Sequence, residues 1–180
     1  LYEKSKTSQW NATTDLDWSI EVDPYEALNL QLELQMDPSN MEDPSSPLYK
    51  WGDKEWREFG LQSAKWRLSQ FMHGEQGALL CTAKIVETVP WIDAKYYAGT
   101  QTMDEARHVE VFSRYLHEKL EWEWPINDSL KELLDATIQD SRWDFKYLGM
   151  QIMIEGLAMA AFGSLYKMTR EPLLKELLYY

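Results

Sequence analysis

Cysteine and basic residues are both scarce in this chain of 180 residues. The one cysteine, Cys81, excludes a disulfide within the chain, and a reducing, cytoplasmic location is therefore expected. The 18 lysines and arginines are outnumbered by 30 aspartates and glutamates, and the net charge of −12 repels phosphate backbones and anionic lipid surfaces. We therefore expect no nucleic-acid partner and no membrane partner.

Long apolar runs are lacking as well. The most apolar stretch, residues 152–165, is interrupted by Glu155 and Gly156 and falls short of the roughly 20 residues that a membrane span needs. No alternation of apolar and polar residues typical of strands competes with the helical spacing of the chain. A chain of 180 residues is long enough for one domain with a continuous core. The expected fold class is all-α.

Prolines concentrate in the first fifty residues, where four of the seven occur in pairs that favour turns. Residues 1–50 are therefore predicted to form an irregular N-terminal segment, with one short helix over Tyr25–Met36. Residues 51–180 are predicted to form the folded domain.

Three long helices are predicted in this domain, because apolar residues recur there at spacings of three and four. The first covers Asp53–Val89 and ends before Pro90, and the second covers Trp91–Leu120. The third begins near Asp128 and runs without a break to about Met168. Long helices with short connections are typical of an antiparallel helical bundle.

A fourth helix is predicted to open after Thr169, with Pro172 in its first turn and apolar residues at helical spacing. The sequence ends about three turns later, at Tyr180, without a capping residue. We therefore expect the fourth core helix to be cut short and the domain to be incomplete at its C-terminus.

The pair Glu105 and His108 is the most specific chemical motif. Residues three apart on a helix lie on one face, so both side chains can reach the same metal ion. Their face is otherwise mostly apolar or small, and a carboxylate and an imidazole in such a stripe need a strong compensating partner. By itself a Glu-x-x-His pair is weak evidence, because many amphipathic helices carry one by chance.

Two further carboxylates strengthen the metal interpretation. Glu75 on the first long helix and Glu155 on the third each interrupt an apolar stripe. A lone glutamate in such a stripe is more often partly exposed or paired with a basic residue, but few basic residues share these stripes. Three carboxylates and one imidazole on facing helices instead match the ligands of two metal ions of hard to intermediate character. The predicted metal ligands are Glu75, Glu105, His108 and Glu155.

On these residues the chain resembles the ferritin-like di-iron carboxylate superfamily, whose members carry Glu or Asp, Glu-x-x-His, Glu and a second Glu-x-x-His on four successive helices. Glu75 matches the first ligand, Glu105 and His108 the first pair, and Glu155 the carboxylate of the third helix. The resemblance covers about residues 52–180. It implies a ferritin-like bundle and a cofactor of two iron ions, with manganese or a mixed pair as alternatives.

The second Glu-x-x-His of the superfamily pattern does not occur in the sequence. We expect it from a continuation of the chain; the alternatives are a separate chain or a second copy that shares ligands across a dimer interface.

The resemblance also suggests roles for neighbouring residues. Asp104 is expected to orient the histidine of the opposite helix by a hydrogen bond. Apolar side chains close to the site are expected to line a substrate pocket, and these are Phe112, Ile152, Met159 and Phe162.

Three other side chains are not expected at the metal site. His73 lies two positions before Glu75 and His117 lies nine positions after His108, so each points to the opposite side of its helix. Cys81 faces away from Glu75 and is expected to be an inert, packed thiol.

The chemistry of the superfamily implies an enzyme that activates dioxygen, with an electron donor, to oxidise a small apolar or aromatic molecule; amine N-oxygenation is one candidate reaction. Phe112 stands where radical subunits of ribonucleotide reductase carry tyrosine, and Met159 stands where bacterial hydroxylases carry threonine. Both residues argue against the common form of those enzymes. The alternatives are ferritin-type iron oxidation and storage, a ribonucleotide reductase small subunit without the usual tyrosine, and a metal-free helical interaction module.

Overall fold

The computed structural model describes residues 1–25 and 43–179. Within these ranges the chain forms helices and irregular connections and no strands, which confirms the all-α prediction. The helix predicted over Tyr25–Met36 lies outside the described residues except for its first position.

Six helices are numbered along the described residues. Two of them contain π-helical turns, namely Tyr115–Lys119, which extends the third helix, and Tyr147–Ile154, inside the fifth. The helices are α1 Tyr2–Thr7, α2 Asp53–Thr88, α3 Ile92–Arg114, α4 Asp128–Gln139, α5 Trp143–Met168 and α6 Pro172–Leu177.

Helices α2 and α3 form the most extensive contact of the fold. Helix α2 ends where predicted, because Pro90 forces Val89 into an extended conformation with ψ 135°. The two helices run antiparallel: Ile85 packs against Ala98 near one end of the contact, and residues with lower numbers on α2 meet residues with higher numbers on α3. The predicted helix pair is confirmed.

The connection from α3 to α4 is fixed by polar side chains that α2 buries. The amide of Gln70 donates a hydrogen bond to the carbonyl of Pro125 at 3.0 Å and accepts one from the backbone N–H of Asn127 at 2.9 Å. Asn127 in turn caps α4 by accepting a hydrogen bond from the N–H of Leu130. A buried glutamine on the first long helix thereby sets where α4 begins.

The prediction of one unbroken third helix is wrong, because the chain breaks between α4 and α5. Asp140 has an extended backbone, and its carboxylate accepts a hydrogen bond from the backbone N–H of Arg142 at 2.8 Å. An aspartate that bonds to its own backbone in this way competes with helix formation. The ammonium group of Lys146, whose residue is 2% exposed, donates to the carbonyl of Asp140 and closes the turn from inside. Helices α4 and α5 consequently contact α2 as separate elements.

The largest core cluster lies at the end of the bundle where α6 packs. Tyr115 is fully buried there and donates a hydrogen bond to Glu171 at 2.9 Å. Glu171 also caps α6, since its carboxylate accepts from the backbone N–H groups of Leu173 and Leu174. The N-terminal segment contributes Ala12 to the same cluster and is therefore part of the fold.

Helix α5 leaves much of its surface uncovered. By length and composition Trp143–Met168 is apolar enough to cross a membrane, with a mean hydropathy of 1.4 over 18 residues, of which 11% are buried. From the sequence no span was expected, because Glu155 interrupts the longest apolar run. The average over 18 residues is high enough even with Glu155 included. Core helices of soluble proteins meet the same criterion when buried.

Close packing between α2 and α4 leads to a prediction about Gly77. A Cβ atom at this position would lie 2.5 Å from Cδ2 and 3.0 Å from Cγ of Leu134, so the buried Leu134 side chain or the two helices would have to shift. We expect Gly77→Ala to lower the free energy of unfolding by about 1 to 3 kcal/mol in urea denaturation. Gly74→Ala is the matched control, because nothing lies within 4 Å of its added Cβ. It should raise stability by about 0.5 to 1 kcal/mol, and equal effects of both substitutions would contradict the described packing.

Candidate metal centre

Two carboxylates and an imidazole meet between α2 and α3. Glu75 is 3% exposed near the middle of α2, and Glu105 is 6% exposed on α3, one turn before His108. One ligand atom from each of the three residues lies within 4.8 Å of the other two. Glu75, Glu105 and His108, which the sequence singled out, therefore form one compact group that can hold a metal ion.

The contacts within this group are ionic. Nδ1 of His108 lies 3.2 Å from Oε2 of Glu75 and 3.5 Å from Oε2 of Glu105. Burial by itself lowers the pKa of His108, but the contacts with Glu105 and Glu75 outweigh it and raise the pKa to about 10. Burial, with repulsion from Glu75 as a further cause, raises the pKa of Glu105. Without a metal ion, a protonated imidazole is thus the cation between the two carboxylates.

Glu155 approaches this group from α5. Burial, followed by the negative charges of Glu105 and Glu75, raises the pKa of Glu155 to about 8. Its carboxylate does not belong to the compact group of three, although it shares their electrostatic environment. Three of the four residues predicted from the sequence are therefore in close contact, and the fourth lies near enough for its pKa to respond to their charges.

One oxygen of this centre lacks a donor. Oε2 of Glu105 is buried and accepts no hydrogen bond from the described residues, since 3.5 Å to His108 is an ion-pair distance too long for a good hydrogen bond. Buried carboxylate oxygens are rarely left without a partner unless an ion or water supplies it. The orphaned oxygen is what a cation bound between the carboxylates would satisfy, so the residues fit a metal ion.

An amide pair lies next to the centre. Gln101, one turn before Glu105 on α3, donates a hydrogen bond to Oε1 of Gln151 on α5 at 2.5 Å, and Gln151 lies one turn before Glu155. Nε2 of Gln151 is buried without a partner among the described residues. The sequence did not predict this pair: a spacing of four places each glutamine one turn from a glutamate, but their contact with each other follows only from the packing of α3 against α5.

The outer side of His108 is covered by the N-terminal segment. The ring of Trp10 lies 6.2 Å from the His108 ring between centroids, and the Arg107 guanidinium lies 5.8 Å from the Trp10 ring. Arg107 also donates hydrogen bonds to Gln9 and, at 2.6 Å, to Asp104. The contact that the structure gives Asp104 is thus with Arg107. Its predicted role toward a histidine of a further helix stays a prediction.

The four residues predicted to line a pocket have different surroundings. Phe112 and Phe162 pack together at 5.5 Å between centroids, and Phe71 joins them at 4.9 Å from Phe162. Ile152 and Met159 are 55% and 73% exposed on α5. The structure brings the two phenylalanines together but leaves the other two on the surface, and their role in a pocket stays a prediction.

The two histidines expected to lie elsewhere do so. His73 contacts the carbonyl of Trp124 at 2.9 Å, and His117 lies 3.2 Å from Glu123, so neither belongs to the compact group. Cys81 is fully buried, and burial raises the pKa of its thiol to about 11, which keeps it protonated and unreactive at neutral pH.

The raised pKa of Glu155 predicts that the metal-free protein becomes less stable as the pH rises. Because folding raises this pKa from 4.5 to about 8, the folded state favours the protonated carboxyl, and stability is lost as the pH rises from about 4.5 to 8. Glu155→Gln keeps the neutral form at every pH. We expect it to stabilise the metal-free protein on the order of 1 to 2 kcal/mol at pH 8.5, after allowance for partial exposure, and by much less at pH 5.

Thermal unfolding in the presence of a chelator measures this effect. Glu132→Gln is the control, because Glu132 is exposed on α4 and should show no such pH dependence. A Glu155→Gln protein that is no more stable than the parent at pH 8.5 would show that neither burial nor the neighbouring carboxylates penalise the ionised form of Glu155.

Comparison of the chain with protein-family models, with curated proteins and with solved structures found no match. A functional conclusion for this chain therefore depends on the chemistry of the residues at the centre and not on a relative.

Proposed function

We propose that this chain is the metal-binding bundle of a ferritin-like di-iron carboxylate enzyme, which uses dioxygen to oxidise a small apolar or aromatic molecule. The observation that carries the proposal is the buried group of Glu75, Glu105 and His108, in which Oε2 of Glu105 lacks a donor. A structural ion pair explains one carboxylate beside an imidazole. It does not explain a second buried carboxylate and a third beside them.

The donor set suits iron or manganese. Carboxylate oxygen and imidazole nitrogen bind such ions, whereas sites that select zinc or copper(I) more often use thiolate, and Cys81 does not belong to the group. Glu75, Glu105 and His108 would hold one ion together, with Glu155 as the ligand from α5. Four residues are few for two ions, so the proposal includes ligands from a further chain segment or from a second copy.

Binding requires the protein's own groups to change protonation. His108 must lose the proton that its carboxylate neighbours favour, and Glu155 must ionise, so protons leave as the ion enters. Bound iron would supply the electrons and the coordination position for dioxygen reduction, and an external electron donor would restore them. The carboxylates of Glu75 and Glu105 balance the charge of the ion in a site from which α2 and α3 exclude most water.

Metal titration of variants tests the proposal. The expected result is that Glu105→Gln and His108→Ala each weaken Mn²⁺ or anaerobic Fe²⁺ binding at least about tenfold, because each removes a ligand from a small set. His117→Ala is the matched control, since its side chain is 57% exposed and contacts Glu123 instead. Equal affinities of the parent, Glu105→Gln and His108→Ala proteins would overturn the metal assignment and favour a metal-free interaction module.

The fate of iron and oxygen separates the enzyme from a storage protein. When the iron-loaded protein receives dioxygen and an electron donor, an oxidase or oxygenase is expected to consume oxygen repeatedly with little net ferric iron. A ferritin-type protein would instead convert added Fe²⁺ into a growing ferric deposit. The deposit is measured by absorbance and the oxygen by electrode, on the parent protein and on Glu105→Gln.

A further inference from the structure

A cavity of about 210 Å³ opens between α2, α3 and the start of α5, outside the residues predicted to form a pocket. Trp91 and Trp143 form one wall, with their rings perpendicular and 5.2 Å apart between centroids. Tyr97 and Tyr147 are the other aromatic groups, and Gln101 is the lining residue closest in sequence to Glu105. Trp91 and Tyr147 are 59% and 39% exposed, so small molecules can enter from solvent.

The cavity is aligned with the metal centre along both helices. On α3 the lining residues Tyr97 and Gln101 precede Glu105 by two turns and one turn. On α5 Tyr147 precedes Glu155 by about two turns, and Gln151 lies between them. One turn of helix rises about 5.4 Å, so the amide pair of Gln101 and Gln151 separates the cavity from the carboxylates by about one turn.

The lining favours an uncharged ligand. None of the described residues that line the cavity is acidic, basic or histidine, so a charged group would lose water without gaining a partner. The polar atoms on offer are neutral, and burial raises the pKa of Tyr97, so its hydroxyl keeps its proton. The contact of Gln101 with Gln151 uses Nε2 of Gln101, and no described residue donates a hydrogen bond to its Oε1. The free acceptor selects a ligand with an O–H or N–H donor.

The volume of the cavity limits the size of the ligand. Apolar cavities of about 150 Å³ hold a benzene molecule, so 210 Å³ accommodates one six-membered ring with one or two small substituents. The perpendicular indoles and the phenol rings offer faces and edges that pack well against a flat aromatic ring.

We propose that this cavity binds an uncharged, single-ring aromatic molecule whose O–H or N–H group donates a hydrogen bond to Gln101. The polar group then points along the bundle toward Glu105 and Glu155. That such a ligand is a substrate depends on the proposed function; that it binds does not, because no atom of the compact group lines the cavity.

Binding of phenol to the metal-free protein tests the proposal by calorimetry and by ligand-observed NMR. Phenol is expected to bind at least about fivefold more tightly than benzene, which lacks the donor, because one neutral hydrogen bond contributes about 1 kcal/mol. Benzoate, which is charged, and 1-naphthol, which has two rings, are expected not to bind in this cavity.

Two substitutions locate the ligand. Gln101→Leu should weaken phenol binding about fivefold and leave benzene binding unchanged, because it removes the acceptor at similar volume. Ala94→Phe should abolish binding of both, because Ala94 lines the cavity and the new ring fills it. The control is Gln62→Leu, which alters a separate, more open cavity beside Trp66.

Benzoate binding as tight as phenol binding, or phenol binding that neither Gln101→Leu nor Ala94→Phe weakens in a folded protein, would overturn the proposal. The experiment uses chelator-treated protein, so its result is independent of the metal titration. If Glu105→Gln loses metal binding but the parent protein binds no phenol, the proposed function stands and only the proposed cavity ligand is wrong. If the parent binds phenol but Glu105→Gln binds metal as the parent does, only the metal centre is wrong.

Discussion

Glu75 and His108 meet across the contact between α2 and α3, 3.2 Å apart, with side chains that are 4% and 30% exposed. Ionised groups in such a place are costly unless each has a partner, and a partner lost from a buried pair typically costs about 3 to 5 kcal/mol. The antiparallel register of α2 and α3 is therefore tied to this pair, because a shift by one turn would separate imidazole and carboxylate. Glu155 on α5 has a raised pKa because it is buried and because Glu105 and Glu75 are negatively charged.

Helix α5 carries Glu155, the third carboxylate, toward Glu75 and Glu105, whose charges repel it. The direction of α5 depends on a break in the helical chain before it. The turn at Asp140 frees α5 from α4, and the ammonium group of Lys146 secures that turn from inside. On the opposite side of the bundle, Glu171 joins the end of α3 to α6. The centre thus lies between two firmly connected regions, while the outer face of α5 is left in contact with solvent.

The sequence was sufficient for the elements whose signal is local. Pro90 ended α2 as expected, and apolar spacing found α3, since both depend on backbone sterics and on one helical period. The break at Asp140 was missed, because a single aspartate in an apolar pattern is common and its side chain reveals a turn only when Arg142 N–H is placed beside it. Glu75, Glu105 and His108 were found because a charged group in an apolar stripe is conspicuous.

Two parts of the site could not be read from the sequence. The amide pair joins α3 to α5 over fifty positions, a contact that only the packing of the helices creates. Ile152 was placed near the site by a spacing of 3.6 residues per turn, but it lies within a π-helical stretch, whose longer hydrogen-bonded ring changes which residues face inward. Met159 lies one regular α-helical turn after Glu155 and is 73% exposed.

Because of the π-helical stretch Tyr147–Ile154, the direction in which Glu155 points depends on how many residues the preceding turns contain as well as on side-chain chemistry. A π turn holds one more residue than an α turn can accommodate, so it behaves as a built-in insertion that rotates everything after it by about 100°. Relaxation of the stretch to a regular α-helix would turn Glu155 relative to Gln151 and the cavity. The position of Glu155 relative to Gln151 and the cavity therefore depends on these eight residues being wound as a π-helix.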